Sequence, residues 1–291
     1  MARSKKKSVP PTAPVNTAIK VLKAGRSWHG GKHVWSLPTQ APDGTWTPGD
    51  WTPSVKPRLC SSGWHLTEAP VAWWGDGGNV TAYLAEIDGA VDGPKTDATD
   101  DTTKVSVERC RLLRPLTRAE LEARGIYLTG EHSRIAGGRV IIGGDARVGS
   151  MDGTARVERM YGSASVGSMY GSASVGSMDG TARVERMYGT ARVENMNGTA
   201  SVGNMYGSAR VGSMDGTASV GSMDGESTAH ASGEAVIVVR YCRPSVTVSG
   251  RASVLDYRPA RPAHYTADPG MVLSLSGDGT VSQVSLETAE S

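Results

Sequence analysis

A nine-residue repeat constrains the fold of this chain more than any other feature of its sequence. Ten windows of nine residues run from Ile142 to Ala231, with the consensus M-(Y/D/N)-G-(S/T)-A-(R/S)-V-(E/G)-(S/R/N). Gly occupies the third place in all ten windows, and Met the first, Ala the fifth and Val the seventh place in nine of them. Self-similarity at a fixed period indicates a solenoid, in which successive repeats stack and bury a continuous core.

The pattern within each window is typical of a short β-strand with an inner and an outer face. Ala in the fifth place and Val in the seventh point to one face, and the polar residues in places four, six and eight point to the other. Because nine is odd, each repeat needs a corner that restores the facing, and Gly in the third place suits such a corner. Met lies beside it, where its flexible thioether can fill the end of a thin core.

Two repeats in each coil stack the side chains better than three. With two, residues that are two windows apart lie about 4.8 Å above one another. One column then contains Tyr170, Tyr188 and Tyr206, and another contains Asp179, Asn197 and Asp215. Aromatic rings stack in the first column, and an amide separates two carboxylates in the second.

Three repeats in each coil would place Arg156, Arg183 and Arg210 in one column of like charge, which destabilises a sheet. Two repeats still place Arg192 on Arg210, so the preference rests mainly on the other columns. We expect a two-sided β-solenoid of about five coils and about 24 Å in length.

Four functions can be weighed for such a solenoid. A calcium-binding roll needs the motif G-G-x-G-x-D, and an ice-binding face needs regular pairs of Thr, and the repeat has neither. A partner-binding surface and a rigid spacer remain. Both are non-catalytic, because the consensus of the repeat offers hydroxyls but no His, Cys or paired carboxylates. The candidate binding residues are Tyr170, Tyr188, Tyr206, Arg156, Arg183, Arg192 and Arg210.

The composition divides the chain into four parts. Residues 1–15 form a basic, Pro-containing tail that we expect to be disordered, and residues 16–130 form a head that contains all seven Trp. Residues 131–258 form the solenoid with degenerate coils as caps, and residues 259–291 form an extension with the alternation and G-D-G turn of a hairpin.

The head reads as a small α+β domain. Strands are predicted at AIKVLKAG, KHVWSL, VTAYLAEIDG and KVSVERCRLL, and a short strand precedes a helix that begins at Thr67. A second helix is predicted at TRAELEARG, with Thr117 as N-cap, Glu120 completing a capping box and Gly125 as the stop. The fold class is therefore an α+β domain followed by an all-β solenoid with about two nonapeptides per coil.

Charge and cysteine content exclude several functions. The net charge of +2 gives no reason to expect a nucleic-acid partner, except at the basic tail. The three cysteines are Cys60, Cys110 and Cys242, and their spacing indicates neither a disulfide framework nor a metal site, so we expect buried thiols. No signal peptide or transmembrane segment is recognisable, which predicts a cytoplasmic or virion-associated protein.

The head carries two resemblances. The stretches CSSGWHLTEAP, AYLAEIDG and KVSVERCRLLRPL, within residues 55–116, resemble a family of uncharacterised N-terminal domains of actinobacterial and phage proteins. That family has no assigned activity, so the resemblance implies a phage or prophage setting only.

The order of elements is also distantly similar to the ADP-ribosyltransferase fold. By this resemblance, His29 and Gly30 of the WHGG stretch would bind the ribose of NAD, and Trp64 and His65 would frame the nicotinamide. Glu86 or Glu108 would supply the acid. The chain departs from that fold in lacking the usual central Tyr and in its compressed spacing.

Two functions follow from these observations. The first is a non-enzymatic structural or protein-binding protein of phage or prophage type, without a cofactor, whose solenoid presents a repetitive surface from a globular head. Its partner would be an unidentified protein rather than a membrane, and end-to-end self-association is a further option. The alternative is an enzyme that uses NAD in its head, with the solenoid as a targeting module. A cavity that joins His29 to Glu86 or Glu108 would favour the alternative.

Overall fold

The computed structural model describes residues 16–27, 33–75, 79–93, 104–240, 244–258, 263–268 and 271–285. The predicted tail at 1–15 lies outside these residues, as do His29, Gly30 and Cys242. The chain divides into two compact units, the head, which ends at Thr117, and a second unit, which begins at Arg118.

An antiparallel β-sheet forms the head. The strands are β1 (Thr17–Lys23), β2 (Arg26–Ser27), β3 (Thr39–Gln40), β4 (Trp46–Thr47), β5 (Trp64–Thr67), β6 (Val80–Asp92) and β7 (Lys104–Pro115). Five of them follow the order β2-β1-β5-β7-β6, and the pairing of β1 with β6 closes β1, β5, β7 and β6 into a ring. Strands β3 and β4 form a separate two-stranded sheet.

The predicted α+β class of the head is not confirmed. After β5 the chain forms a 3₁₀ helix at Pro70–Trp73 in place of the helix expected from Thr67. The stretch KHVWSL contributes only one isolated bridge, between Arg26 and Val34, within its described part. Pro70 explains the first difference, because the residue before a proline is disfavoured in the helical region, and Ala69 has φ −113° and ψ 78°. The other three predicted strands are present as β1, β6 and β7.

The second unit begins with a short α-helix, α1 (Arg118–Glu122), at the position of the predicted capping box. The strands of the solenoid follow as β8 (Ile126–Tyr127), β9 (Glu131–Ile135), β10 (Arg139–Ile142), β11 (Arg147–Met151), β12 (Arg156–Met160), β13 (Ser165–Met169), β14 (Ser174–Met178), β15 (Arg183–Met187), β16 (Arg192–Met196), β17 (Ser201–Met205), β18 (Arg210–Met214), β19 (Ser219–Met223), β20 (Thr228–Ala231), β21 (Val236–Val239), β22 (Ser245–Ser249) and β23 (Ser253–Asp256). Even-numbered strands form one parallel sheet and odd-numbered strands form the other.

Each coil of the solenoid contains two nonapeptides. Val166 on β13 pairs with Val184 on β15, and Met169 pairs with Met187, so equivalent places two windows apart lie in register. Ala in the fifth place, Val in the seventh and Met in the first are buried throughout the repeats and form one core. Every Gly in the third place, from Gly144 to Gly225, has a positive φ, as the corner requires.

The facing is restored within the strand as well as at the corner. Each strand runs from the sixth place of one window to the first place of the next, as in Arg183–Met187. Val184 and Met187 are both buried, although they are three residues apart and a regular strand would bury residues two apart. Places eight and nine therefore both lie outside the core. This allows a repeat with an odd number of residues to keep Met in the core of every coil.

The solenoid has about seven turns, between residues 126 and 256, instead of the expected five. The additional turns are built from strands outside the ten windows, β8 to β10 at one end and β21 to β23 at the other. Residues such as Ile237 and Val254 fill the places of Val in the later coils. The expected degenerate coils at 234–241 and 248–257 are thus present, in the described residues, as part of the same two sheets.

Antiparallel strands end both sheets. The strands are β24 (Ala263–Thr266), β25 (Met271–Leu275) and β26 (Val281–Ser285). Strand β24 pairs with β23, β25 pairs with β22, and β25 and β26 form the predicted hairpin. Because these strands occupy the last parallel edges, they cap the core of the solenoid.

Candidate functional site

The predicted tyrosine column is present at one corner of the solenoid. The rings of Tyr170 and Tyr188 stack with their centroids 5.1 Å apart, and those of Tyr188 and Tyr206 stack at 5.0 Å. The interplanar angles are 6° and 10°, so the three rings are nearly parallel. Tyr170 retains 42% of its accessible surface, and the other two are half-buried. The column is an exposed aromatic ladder fixed by the strand spacing.

Two of the predicted arginines lie beside this ladder. Arg192 and Arg210 begin the strands that follow Tyr188 and Tyr206, and the two residues are paired neighbours in the even-numbered sheet. Both are exposed, and neither forms an ion pair within the described part of the chain. We call Tyr170, Tyr188, Tyr206, Arg192 and Arg210 the tyrosine edge.

The other two predicted arginines differ from this pair. Arg156 lies in the same column of the even-numbered sheet, two coils before Arg192, but it is ion-paired, and Arg183 lies in the other sheet. Arg156 begins β12 and donates from Nε to Glu158 at 3.0 Å, and the same carboxylate accepts from Arg139 at 2.8 Å. Arg183 begins β15, the strand that ends one residue before Tyr188, so it lies at the opposite corner from the ladder. The structure thus brings together only part of the predicted binding set.

The acidic column is also present, at the corner opposite the tyrosines. Asn197 donates from Nδ2 to Oδ1 of Asp179 at 3.2 Å. Asp215 accepts a bond from the N–H of Gly216 at 2.7 Å. The amide therefore separates the carboxylates as the stacking argument requires.

A ladder of hydroxyl groups explains the Ser or Thr in place four, which sequence reasoning did not use. Thr190 donates from Oγ1 to the carbonyl oxygen of Gly171 at 3.0 Å, and Thr181 donates to that of Gly162 at 2.9 Å. The acceptor is the corner glycine one coil earlier in both cases. Ser or Thr fills place four in eight of the ten windows, and the reason for this recurrence is a hydrogen bond between stacked corners.

The head contains a cavity of about 560 Å³ between β1, β5 and β7. Its lining includes Trp64 and His65, which the sequence singled out, and Lys20 and Lys104, which it did not. No carboxylate lines the cavity among the residues that the structure describes. Lys20 could have been recognised from the sequence, because it lies two residues from both Ala18 and Leu22 and therefore shares their buried face of β1.

Burial determines the protonation of these groups. Lys20 is only 8% exposed, and burial lowers the pKa of its ammonium to about 8, while the thiol of Cys110 opposes this shift and the charge of Lys104 adds to it. Burial also lowers the pKa of His65, assisted by the positive charges of Lys104 and Lys20. Its Nε2 accepts a bond from the N–H of Cys60 at 3.2 Å, which fits a neutral ring.

The two predicted acids lie outside the lining of this cavity. Glu86 accepts from Arg111 Nε at 2.6 Å. Glu108 accepts from the Ser54 hydroxyl at 2.6 Å and from the N–H of Ala90 at 3.0 Å, and these bonds, that of Ala90 first, lower the pKa of its carboxyl. The prediction for His29 and Gly30 falls outside the described residues.

The cysteines differ in their environments. Cys110 is fully buried, as expected, and burial raises the pKa of its thiol to about 11. Cys60 is exposed, so its expected burial was wrong. It has a φ of 62° in the turn before β5, and the Nζ of Lys104 lies 3.9 Å from its sulfur.

No family model, curated protein or solved structure matches this chain. The phage or prophage setting and the transferase likeness therefore rest on the sequence motifs alone. None of the helices in the described residues is long and apolar enough to cross a membrane.

Proposed function

We propose that this is a non-enzymatic structural protein whose solenoid presents a repetitive surface to a protein partner through the tyrosine edge. The observation that carries the proposal is the exposed, stacked column of Tyr170, Tyr188 and Tyr206. Tyr is enriched at protein interfaces because a rigid amphipathic ring provides contact area with little loss of conformational entropy. Stacking restricts these rings further, so little entropy would be lost on binding.

The arginines of the tyrosine edge support the same function. Arg192 and Arg210 are exposed neighbours of like charge, and within the described residues no carboxylate forms an ion pair with either. A like-charge pair in adjacent strands is unfavourable in the free protein. A partner that offers carboxylates would relieve that repulsion and pair with both guanidinium groups.

The geometry favours this function over the NAD-using alternative for the head. Trp64 and His65 line the cavity, but Glu86 and Glu108 have other partners and lie outside its lining. The NAD-using alternative is tested separately. The full chain is incubated with NAD, and the release of nicotinamide is measured. We expect no release above the buffer rate, and release that disappears in Glu86→Gln or Glu108→Gln would favour the transferase.

The proposed binding is tested with the full chain as bait in lysate of the producing cell. A triple variant, Tyr170→Ser, Tyr188→Ser and Tyr206→Ser, is compared with wild type and with Tyr257→Ser, which replaces an exposed tyrosine outside the ladder. We expect wild type and Tyr257→Ser to retain the same proteins and the triple variant to lose them. Circular dichroism checks that each variant folds.

Two results would contradict the proposal. One is equal retention by wild type and the folded triple variant, which would place the contact elsewhere. The other is the absence of any protein retained by wild type above an unrelated bait, which would favour a spacer. A double variant, Arg192→Gln with Arg210→Gln, then tests the charged part of the tyrosine edge. Arg183→Gln, at the opposite corner, is the matched control.

A further inference from the structure

The cavity of the head has an unusual balance of charge. It encloses about 560 Å³ and is lined by two lysines and two histidines, but by no carboxylate among the described residues. This volume lies within the range of small-molecule sites, about 300 to 1,000 Å³. Positive groups without acidic partners around a concave, partly apolar surface are suited to an anion.

Lys20 is the deeper of the two ammonium groups. It donates one hydrogen bond, from Nζ to the carbonyl oxygen of His65 at 3.0 Å, and its Nζ lies 4.8 Å from the centre of the Trp35 ring. An ammonium has three N–H donors, and a buried charge is unfavourable unless it is paired. No carboxylate of the described residues pairs with it, so an anion in the cavity would supply the missing counter-charge.

Lys104 lies at the start of β7, on the same cavity. Its Nζ lies 3.9 Å from the sulfur of Cys60 and 4.8 Å from the centre of the Trp73 ring. Like Lys20, it forms no ion pair within the described residues. The two ammonium groups are close enough that the charge of Lys104 lowers the pKa of Lys20. This mutual repulsion is a second reason for an anion to bind between them.

The remaining lining restricts the body of the ligand. Trp64 and Trp73 contribute flat aromatic surfaces, and Ile19, Val21 and Leu66 contribute aliphatic ones. Aromatic rings pack against planar ligand groups, with edge or offset geometry. A ligand that matches this lining has a planar apolar body and one anionic group.

We propose that the head cavity binds a small aromatic anion, an aromatic carboxylate or an aromatic phosphate ester, whose charged group pairs with Lys20 and Lys104. The planar body of the ligand lies against the tryptophans and the aliphatic side chains. This site is separate from the tyrosine edge, and its test does not depend on the proposed function of the solenoid.

The test measures binding to the full chain by isothermal titration calorimetry. The probes are 1-naphthoate and phenyl phosphate, which separate carboxylate from phosphate, and their uncharged analogues are 1-naphthamide and phenol. We expect at least one anionic probe to bind about tenfold more tightly than its analogue. Lys104→Gln should weaken that probe by about tenfold, because a charge-assisted bond is lost.

Lys56→Gln is the matched control, since Lys56 is an exposed lysine of the same unit outside the cavity lining. It should leave the affinity unchanged. The proposal is overturned if neither anionic probe binds at about 1 mM, if the uncharged analogues bind as tightly, or if Lys56→Gln weakens binding as much as Lys104→Gln.

The pH dependence provides a readout that needs no variant. Lys20 holds its proton below a pKa of about 8, so affinity should fall as the pH rises above that value. The groups that face it are His65 on β5, Lys104 and Cys110 on β7, Tyr83 on β6, and His33 and Cys60 in the cavity lining. The pH series is therefore repeated with Cys60→Ser, which removes the exposed thiol beside Lys104. The pKa of His65 is lowered and those of Cys110 and Tyr83 are raised, so these three do not titrate near pH 8. An affinity that stays constant through this range contradicts the role of Lys20.

Discussion

In the repeats of the solenoid, Ala, Val and Met fill the core, whereas the head buries a charged lysine beside a cavity. The solenoid places like side chains above one another, so one favourable contact recurs in every coil. The head joins strands that are distant in the chain, as when Lys20 on β1 lies opposite Tyr83 on β6. Repetition gives the solenoid a uniform core and a periodic surface, and irregular pairing gives the head a site with its own electrostatics.

The largest effect should come from the solenoid core. Met187 is fully buried between Met169 and Met205 of the neighbouring coils. Met187→Ala should lower the free energy of unfolding by about 3 kcal/mol, because the cavity it leaves lies inside a stacked column. Urea unfolding followed by circular dichroism measures this change. Arg183→Ala, on the exposed face of the same strand, is the control and should change stability by less than about 0.5 kcal/mol.

The head should respond in the opposite direction to removal of a buried side-chain charge. Lys20→Met keeps the length of the side chain and removes an ammonium that burial disfavours. We expect the free energy of unfolding at pH 7 to rise by about 1 to 2 kcal/mol. Trp fluorescence reports the head, because all seven Trp lie within it. A loss of stability would mean that the contacts of Lys20 with His65 and Trp35 outweigh its desolvation.

The same lysine should make the stability of the head depend on pH. Its folded pKa of about 8 is below the unfolded value, so between these values the unfolded state binds more protons and stability rises with pH. The rise should be about 1 kcal/mol over one pH unit above 8, and should be absent in Lys20→Met. Above pH 9 the raised pKa of Cys110 acts with the opposite sign, so the comparison is made below that pH. A slope shared by wild type and variant would assign it to another group.

A smaller effect should distinguish the middle of the tyrosine ladder from its end. Tyr188 stacks on two rings, and Tyr206 stacks on one described ring. Tyr188→Ala should therefore lower the free energy of unfolding by about 1 kcal/mol more than Tyr206→Ala. Urea unfolding of both variants measures the difference. Equal losses would show that the rings contribute by their burial and not by stacking.

The smallest effect should come from the hydroxyl ladder. Thr190→Val removes the bond from Oγ1 to the carbonyl oxygen of Gly171, but the backbone N–H of residue 190 still donates to that oxygen. We expect a loss of about 0.5 kcal/mol by thermal unfolding, since the acceptor keeps a partner. A loss several times larger would mean that the hydroxyl sets the geometry of the corner.

The sequence by itself determined the two-sheet solenoid, the tyrosine ladder and the column of Asp179 and Asn197. A fixed period combined with the strand spacing places residues two windows apart in contact, so these neighbours can be worked out from the repeat alone. The hydroxyl ladder could have been predicted by the same argument, because Ser or Thr recurs in place four.

Only the tertiary structure decided the number of turns, the β-architecture of the head and the composition of its cavity. The outer coils lack the consensus, and their strands pair because the edge of a parallel sheet accepts any strand whose inward residues fit. In the head, Lys20 and Lys104 lie on strands far apart in the sequence and meet through antiparallel pairing across β5. No local pattern encodes such a contact, since it depends on the register of the strands in the closed sheet.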